Sequence, residues 1–306
     1  KLALKENLKE KLSNYLTGIG FCEILTNSIT NSNYYSEEET KYAVKMMNSL
    51  TVELNVLRPS MLETALESIA YNINRKNANL HFFEFGKTYS TEKTGVYKEE
   101  EHFSLYLTGS DHYDEWRKKS QPSDFFVAKG IASSLLKICG LNDIKFEEPI
   151  KEESGLDYTI KDNSVAIGKL VEVSPRRLKI FDIKQPVYFI DLNYETVLGL
   201  AKKREIILTE LGKFQPVFRD LAIIVDKWLP FSGLASTIKK LNLTKLQEIR
   251  LFDVFESDKL GANKKSLALN FIFVDENKTL TDKEIDGMMQ QIITAIEKQL
   301  NGEIRK

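Results

Sequence analysis

The chain has 306 residues, 42% of them hydrophobic and 28% charged, with a net charge of −1. That composition describes a globular protein with a sizeable core, long enough for about two domains. It excludes a strongly basic nucleic-acid coat, and no apolar run approaches the ~18–20 residues of a membrane span.

No signal-peptide pattern opens the chain, and a cytoplasmic protein with no membrane partner is expected. The chain starts at Lys1 in mid-helix style, as an excised C-terminal piece would. Its two cysteines, Cys22 and Cys139, sit in apolar surroundings and read as buried, reduced thiols.

Leu4, Leu8, Leu12 and Leu16 recur every fourth position beside Tyr15, and Thr17-Gly18-Ile19-Gly20 ends this first helix. A strand is expected over 21–29. Pro59 opens a second helix carrying Leu62, Leu66, Ile69 and Ile73. A strand over 79–86 ends in Gly86, and 91–101 reads as a charged loop with Gly95 at a hairpin tip. Ser123 caps a helix over 124–139, which Gly140 ends. Residues 156–161 and 164–173 form a hairpin around Asp162-Asn163, 187–191 a last strand, and 201–212 a charged connector. Helices interspersed with hairpin-connected strands predict an α+β domain on an antiparallel sheet over 1–212.

The remaining residues, 213–306, carry 15 basic and 13 acidic side chains, so any nucleic-acid contact must concentrate its charge locally. Val217–Asp226 is a β-branched run stopped by Trp228-Leu229-Pro230. Leu234, Ala235, Ile238 and Leu241 then fall at helical spacing. Residues 246–255 and 266–273 are strand-like, joined by a loop of turn formers at 258–263. Thr281 and Glu284 give a capping-box spacing ahead of a helix whose apolar face is Ile285, Met288, Met289, Ile292, Ile296 and Leu300. Asn301-Gly302 caps it, and 303–305 makes a final strand. The order is βαββαβ, a ferredoxin-like arrangement.

Two helices on one face of that sheet leave the other open. Alternation sends Leu221, Ile223, Val225, Leu267, Leu269, Phe271 and Phe273 to the helices. Ala222, Ser266, Ala268 and Asn270 remain outside, joined by Arg250 and Phe252 if the middle strand is in register. Small side chains, one ring and one guanidinium make a platform for splayed bases. The same pattern fits a solvated sheet face with a stray Phe; read as an RNA-binding surface, its residues are Arg250, Phe252, Ala222, Ser266 and Asn270.

No catalytic or metal centre is readable. There is no Walker-type loop, and His81, His102 and His112 have no ligand spacing around them, His81 reading as structural and the other two as surface. Arg58 in Leu-Arg-Pro-Ser could neutralise a nucleotide phosphate, but no acidic partner follows it and no glycine-rich strand with a following arginine appears over 140–212. Arg176-Arg177 read as a solvated helix start.

Taken in order, Phe-Gln-Pro-Val-Phe-Arg-Asp from Phe214, Leu-Phe-Asp-Val-Phe, Lys-Ser-Leu-Ala-Leu, Thr-Leu-Thr-Asp-Lys-Glu and the terminal Glu-Ile-Arg resemble the ferredoxin-fold anticodon-binding domain that closes the β chain of bacterial phenylalanyl-tRNA synthetases. Gly-Phe-Cys-Glu-Ile, Asn-Val-Leu-Arg-Pro-Ser, Phe-Phe-Glu-Phe-Gly and Ser-Asp-Phe-Phe-Val-Ala-Lys-Gly look like the class II-like, non-catalytic domain of the same chain. One departure is Val-Glu-Val-Ser-Pro at 171–175, where the family commonly has Gly-Glu-Leu-His-Pro. The resemblance implies an (αβ)2 heterotetramer whose α chain charges tRNA(Phe) using ATP and Mg2+. This piece would hold no cofactor of its own and bind tRNA(Phe) and not DNA; its leucine-rich first helix is a candidate for the interface with the α chain, or else packs on its own sheet. The rival expectation is a ferredoxin-like sensor of a small ligand, without tRNA binding.

Overall fold

A computed structural model describes the chain except residues 1, 50, 52, 94, 149–155, 205–212, 258–259, 262 and 306. It divides into two compact units, Lys1–Ile206 and Ile207–Lys306.

The first unit opens with α1 (Leu2–Gly18), β1 (Cys22–Glu23), β2 (Ile29–Thr30), α2 (Glu37–Lys41), β3 (Val56–Leu57) and α3 (Leu62–Ile73). Then come β4 (Leu80–Lys93), β5 (Val96–Thr108), α4 (Phe125–Ile138), β6 (Ile144–Glu147), β7 (Asp157–Asp162), β8 (Val165–Glu172), α5 (Pro175–Ile180), β9 (Val187–Asn193) and α6 (Tyr194–Ala201). Its main sheet runs β1-β4-β5-β9-β8-β7-β6, antiparallel except where β1 lies parallel to β4. Phe83, Phe103, Leu105 and Ile190 point to one face, where they bury α1 and α4. Phe82, Tyr106 and Phe189 point to the other, against α3 and α5.

Several expectations change here. The leucine stripe of α1 is consumed by its own domain: Leu8, Leu12 and Leu16 are buried and only Leu4 is exposed, so that stripe is not left for a partner chain. The strand expected over 21–29 stops at Glu23. Thr26 N turns to the Glu84 carboxylate (3.1 Å) and Asn27 Oδ1 takes Ile29 N (3.0 Å), side-chain bonds that replace the ladder. Gly86 does not end its strand; β4 runs seven residues further, to Lys93. The charged stretch after Gly95 is strand too, its charges meeting across the hairpin, as in Lys87–Glu99 at 2.7 Å. Asp124, not Ser123, caps α4, accepting from Val127 N at 2.8 Å. Helix α6, capped by Asn193, follows the last strand and ends at Ala201, where the expected connector begins; residues 205–212 of that connector lie outside the described residues. Cys139 is buried as expected, but Cys22 is exposed.

The second unit follows the expected order: β10 (Val217–Asp226), α7 (Phe231–Lys239), β11 (Leu246–Phe255), β12 (Lys264–Phe273), α8 (Asp282–Leu300) and β13 (Glu303–Ile304). Its sheet, β11-β12-β10-β13, is antiparallel throughout. Ile223, Val225, Leu267, Leu269, Phe271 and Phe273 bury Leu234, Ile238, Ile285, Ile292 and Ile296 of the two helices. At the start of α8 the Glu284 carboxylate accepts from Thr281 N (3.0 Å) and Oγ1 (2.9 Å). At its end Asn301 turns left-handed, with φ of 49°. None of the helices described is long and apolar enough to cross a membrane.

Candidate nucleic-acid interface

The face of the second sheet that turns away from α7 and α8 is laid out in cross-strand rows. Arg250, Asn270 and Asp220 stand opposite one another, and Asn270 Nδ2 donates to Asp220 Oδ1 at 2.6 Å. One step along come Asp253, Ala268 and Ala222, with Arg305 beside Ala222, whose carbonyl accepts its N–H at 2.9 Å. Next is the row of Phe255, Ser266, Ile224 and Glu303. The Arg305 guanidinium reaches over this row, 5.4 Å from the Phe255 ring centre and 3.5 Å from Ser266 Oγ.

Arg250, Ala222 and Asn270 thus fall on the expected face. Ser266 does as well, but only 3% of it is exposed, because Phe255 and Arg305 close over it. Phe252 is exposed too, but stands outside the regular pairing. Strand β11 carries register shifts between Leu246 and Glu248 and between Leu251 and Asp253, so Phe252 is the extra residue of a bulge, 61% exposed on an edge strand. Beyond that bulge the alternation is displaced by one residue. Asp253 and Phe255 therefore face out, where unbroken alternation would have turned them toward the helices. Sequence reasoning misses both of them, because a bulge has no signature of its own in the sequence; it also misses Arg305, which the alternation of β10 and β12 does not place. Arg219 lies outside this face, held by Asp282 of α8 at 2.5 Å.

Charge on the face is mixed and mostly internally paired. Arg250 bonds Glu248 through Nε and Nη2 (2.9 and 2.7 Å), and Lys264 is paired with Glu303. Asp253 has no ion-pair partner among the described residues. Between the Arg250–Asn270–Asp220 row and the Phe255 row lie the two alanines, with Asp253 on the β11 side and Arg305 on the β13 side. Neighbouring rows on one strand face are about 6.8 Å apart, from ~3.4 Å per residue. The two flanking rows stand roughly 13.6 Å apart, and their side chains leave about half of that open. The alanine row is therefore a slot about one aromatic ring wide, with a carboxylate at one end and a guanidinium at the other.

In the first unit the polar groups of the sheet face toward α3 are spent on each other. Arg58, 2% exposed, bonds Glu84 Oε1 (3.1 Å), Thr26 Oγ1 (2.6 Å) and the Lys87 carbonyl (2.8 Å). Gly86 makes this possible, since a Cβ there would stand 2.3 Å from Arg58 Nη2. Further along, His102 is bonded through Nδ1 to Asp191 (2.9 Å) and through Nε2 to Thr88 Oγ1 (2.8 Å), and Ser104 Oγ donates to Asp191 (2.8 Å). His102 is thus enclosed in a polar chain rather than set on the surface. Arg177 is likewise tethered, to buried Glu63 and to Glu39 (2.7 Å), and is no solvated helix start. Burial raises the Glu63 carboxyl above its usual range, with the Arg177 charge opposing. A locked Arg58 does not fit the phosphates of ATP. No group of three His, Cys, Asp or Glu among the described residues is placed to hold a metal.

The family of the phenylalanyl-tRNA synthetase β chain CLM domain matches residues 1–194, and that of the ferredoxin-fold anticodon-binding domain matches 212–305. The phenylalanine–tRNA ligase β subunit of Bacteroides thetaiotaomicron is 33% identical over 97% of this chain and 38% of its own length. That of Carboxydothermus hydrogenoformans is 31% identical over 98% of this chain and 38% of its own. The chain therefore spans somewhat over a third of the relatives it matches. Pyrrolysyl-tRNA synthetase from Desulfitobacterium hafniense shares the fold over 65% of this chain and 69% of its own, with a TM-score of 0.53 at 15% identity. By these matches along nearly its whole length, the chain belongs to the family of phenylalanyl-tRNA synthetase β chains.

Proposed function

We propose that this chain binds tRNA(Phe) as part of a phenylalanine–tRNA ligase, residues 213–306 reading the anticodon region and residues 1–212 forming a non-catalytic class II-like body. In that assignment a companion α chain attaches phenylalanine with ATP and Mg2+ in an (αβ)2 cytoplasmic enzyme, and no step of the chemistry runs through this chain. The observation that carries the reading is the one-ring slot over Ala222 and Ala268. Phe255 offers a stacking surface on one side, and the fixed Asn270–Asp220 pair with Arg250 stands on the other. Ser266 lies beneath Arg305 as floor, and Phe252 sits at the rim.

The slot favours one base over the rest. A carboxylate accepts from two adjacent N–H groups, and the Watson–Crick edge of guanine presents that pair, so Asp253 is the residue that would select guanine. A base stacked on an aromatic ring is worth ~1–3 kcal/mol. Phe255→Ala in the complete ligase should therefore weaken tRNA(Phe) binding roughly ten- to a hundredfold, with pyrophosphate exchange untouched. Asp253→Asn should relax the preference for guanine with less loss of affinity. Unchanged binding and unchanged anticodon preference in both variants, with the domain folded, would remove the slot from the interface.

A further inference from the structure

Residues 109–123 join β5 to α4 in a closed loop with a fixed frame. Ser110 pairs with Pro122 across its neck, and Asp111 N donates to the Gln121 carbonyl at 3.0 Å. Gln121 N returns a bond to Asp111 Oδ1 at 2.9 Å. Asp114 Oδ1 accepts from Ser120 N (2.9 Å) and Oγ (2.7 Å), and Glu115 N donates to the Lys118 carbonyl (3.0 Å). Two carboxylates therefore serve the loop's own backbone. The bond from Gln121 N holds Asp111 below the usual range, and the Ser120 bonds bring Asp114 down to about 2.

The loop also turns a ring and three cations outward, next to the exposed carboxylates of Asp114 and Glu115. Trp116 is 95% exposed, and Arg117, Lys118 and Lys119 follow it directly. Lys119 reaches Asp114 at 2.9 Å and Lys118 reaches Asp111 at only 3.9 Å. Exposed pairs of this kind are weak enough to yield to a phosphate. Arg117 has no carboxylate partner among the described residues. A ring followed by three cations on a pre-shaped loop fits unpaired nucleic acid, the ring taking a base and the cations its phosphates. A protein-docking centre would instead be depleted of lysine.

We infer that the Trp116–Lys119 tip is a second RNA contact, which grips an unpaired stretch of the same tRNA apart from the anticodon-reading face. The inference rests on the tRNA-binding reading above but uses none of its residues. The test is tRNA binding by the complete two-subunit ligase across a range of salt, comparing Trp116→Ala and the triple variant Arg117→Ala, Lys118→Ala, Lys119→Ala with the parent.

Trp116→Ala should weaken binding about tenfold. The triple variant should lower the slope of log affinity against log salt by about 2, at ~0.7 per phosphate on a single strand. In both, discrimination between tRNAs of different anticodon should be retained. Unchanged affinity and slope in the assembled enzyme would overturn the inference. So would failure of the subunits to assemble, which would make the loop a protein-docking surface. Loss of affinity in the loop variants with full affinity and discrimination in Phe255→Ala and Asp253→Asn would uphold the loop while removing the anticodon face.

Discussion

At the scale of single residues, Arg58 shows how an arginine placed in the sequence like an ATP ligand serves structure instead. Its guanidinium and the Glu84 carboxylate are 2% and 0% exposed, so each neutralises a charge that the core could not otherwise contain. Removing one partner of such a pair costs about 3–5 kcal/mol, a large share of the roughly 5–15 kcal/mol that holds a domain folded. Arg58→Ala should lower the melting temperature of the β chain sharply and leave the KM for ATP of the assembled ligase unchanged. Arg58→Lys, which keeps the charge but loses the planar fork, serves where the alanine variant will not fold. A marked rise in KM for ATP, in an enzyme that still assembles, would place Arg58 in catalysis after all.

At the scale of elements, the bulge in β11 decides which of its side chains face away from the helices. Because Phe252 is the surplus residue, deleting it should restore regular pairing while Asp253 and Phe255 keep their outward face. The deletion should therefore bind tRNA(Phe) within a few-fold of the parent, whereas Phe255→Ala does not; binding lost equally in both would return Phe252 to the centre of the site. The same element marks the limit of what the sequence disclosed. Val217–Asp226 and Leu246–Phe255 emerge at their observed bounds because apolar alternation and turn formers fix them, and the rows of β10 and β12 follow from that alternation. The displaced register beyond Leu251 does not, since it lies in backbone pairing rather than in composition. Nor did the sequence reveal that 96–101 is strand, because charge suggested a loop where opposite charges pair across a hairpin. The helix cap of α8 was legible, and it carries a pH consequence. Lys278 first, then the Thr281 backbone, brings the Glu284 carboxyl from 4.5 to about 2. A carboxyl depressed in the folded state contributes stability above its unfolded value, and that contribution fades as pH falls through its folded one. Replacing Glu284 with Gln should therefore lower stability at neutral pH and make progressively less difference from about pH 4.5 down to about 2, followed by thermal melts.

At the scale of the whole molecule, the polar groups of the two units are disposed differently. In the first, the cations with the best claim to phosphate, Arg58 and Arg177, are committed to buried glutamates. In the second, the outward sheet face keeps a ring, a carboxylate and a guanidinium around a one-ring slot. If the chemistry belongs to the α chain, forming the aminoacyl adenylate requires neither, while transfer to tRNA requires the grip of the second. Deleting residues 213–306 from the complete β chain should then leave phenylalanine-dependent pyrophosphate exchange near its parental rate. Charging of tRNA(Phe) should fall by at least the roughly ten- to hundredfold assigned to a single stacked base, since the deletion removes that contact with all others on the face. Raising the tRNA concentration should recover part of the loss, because binding and not chemistry has been weakened. Should exchange decline in step with charging while the subunits remain assembled, the domain supports the α chain's active site, and its tRNA-reading role must be given up.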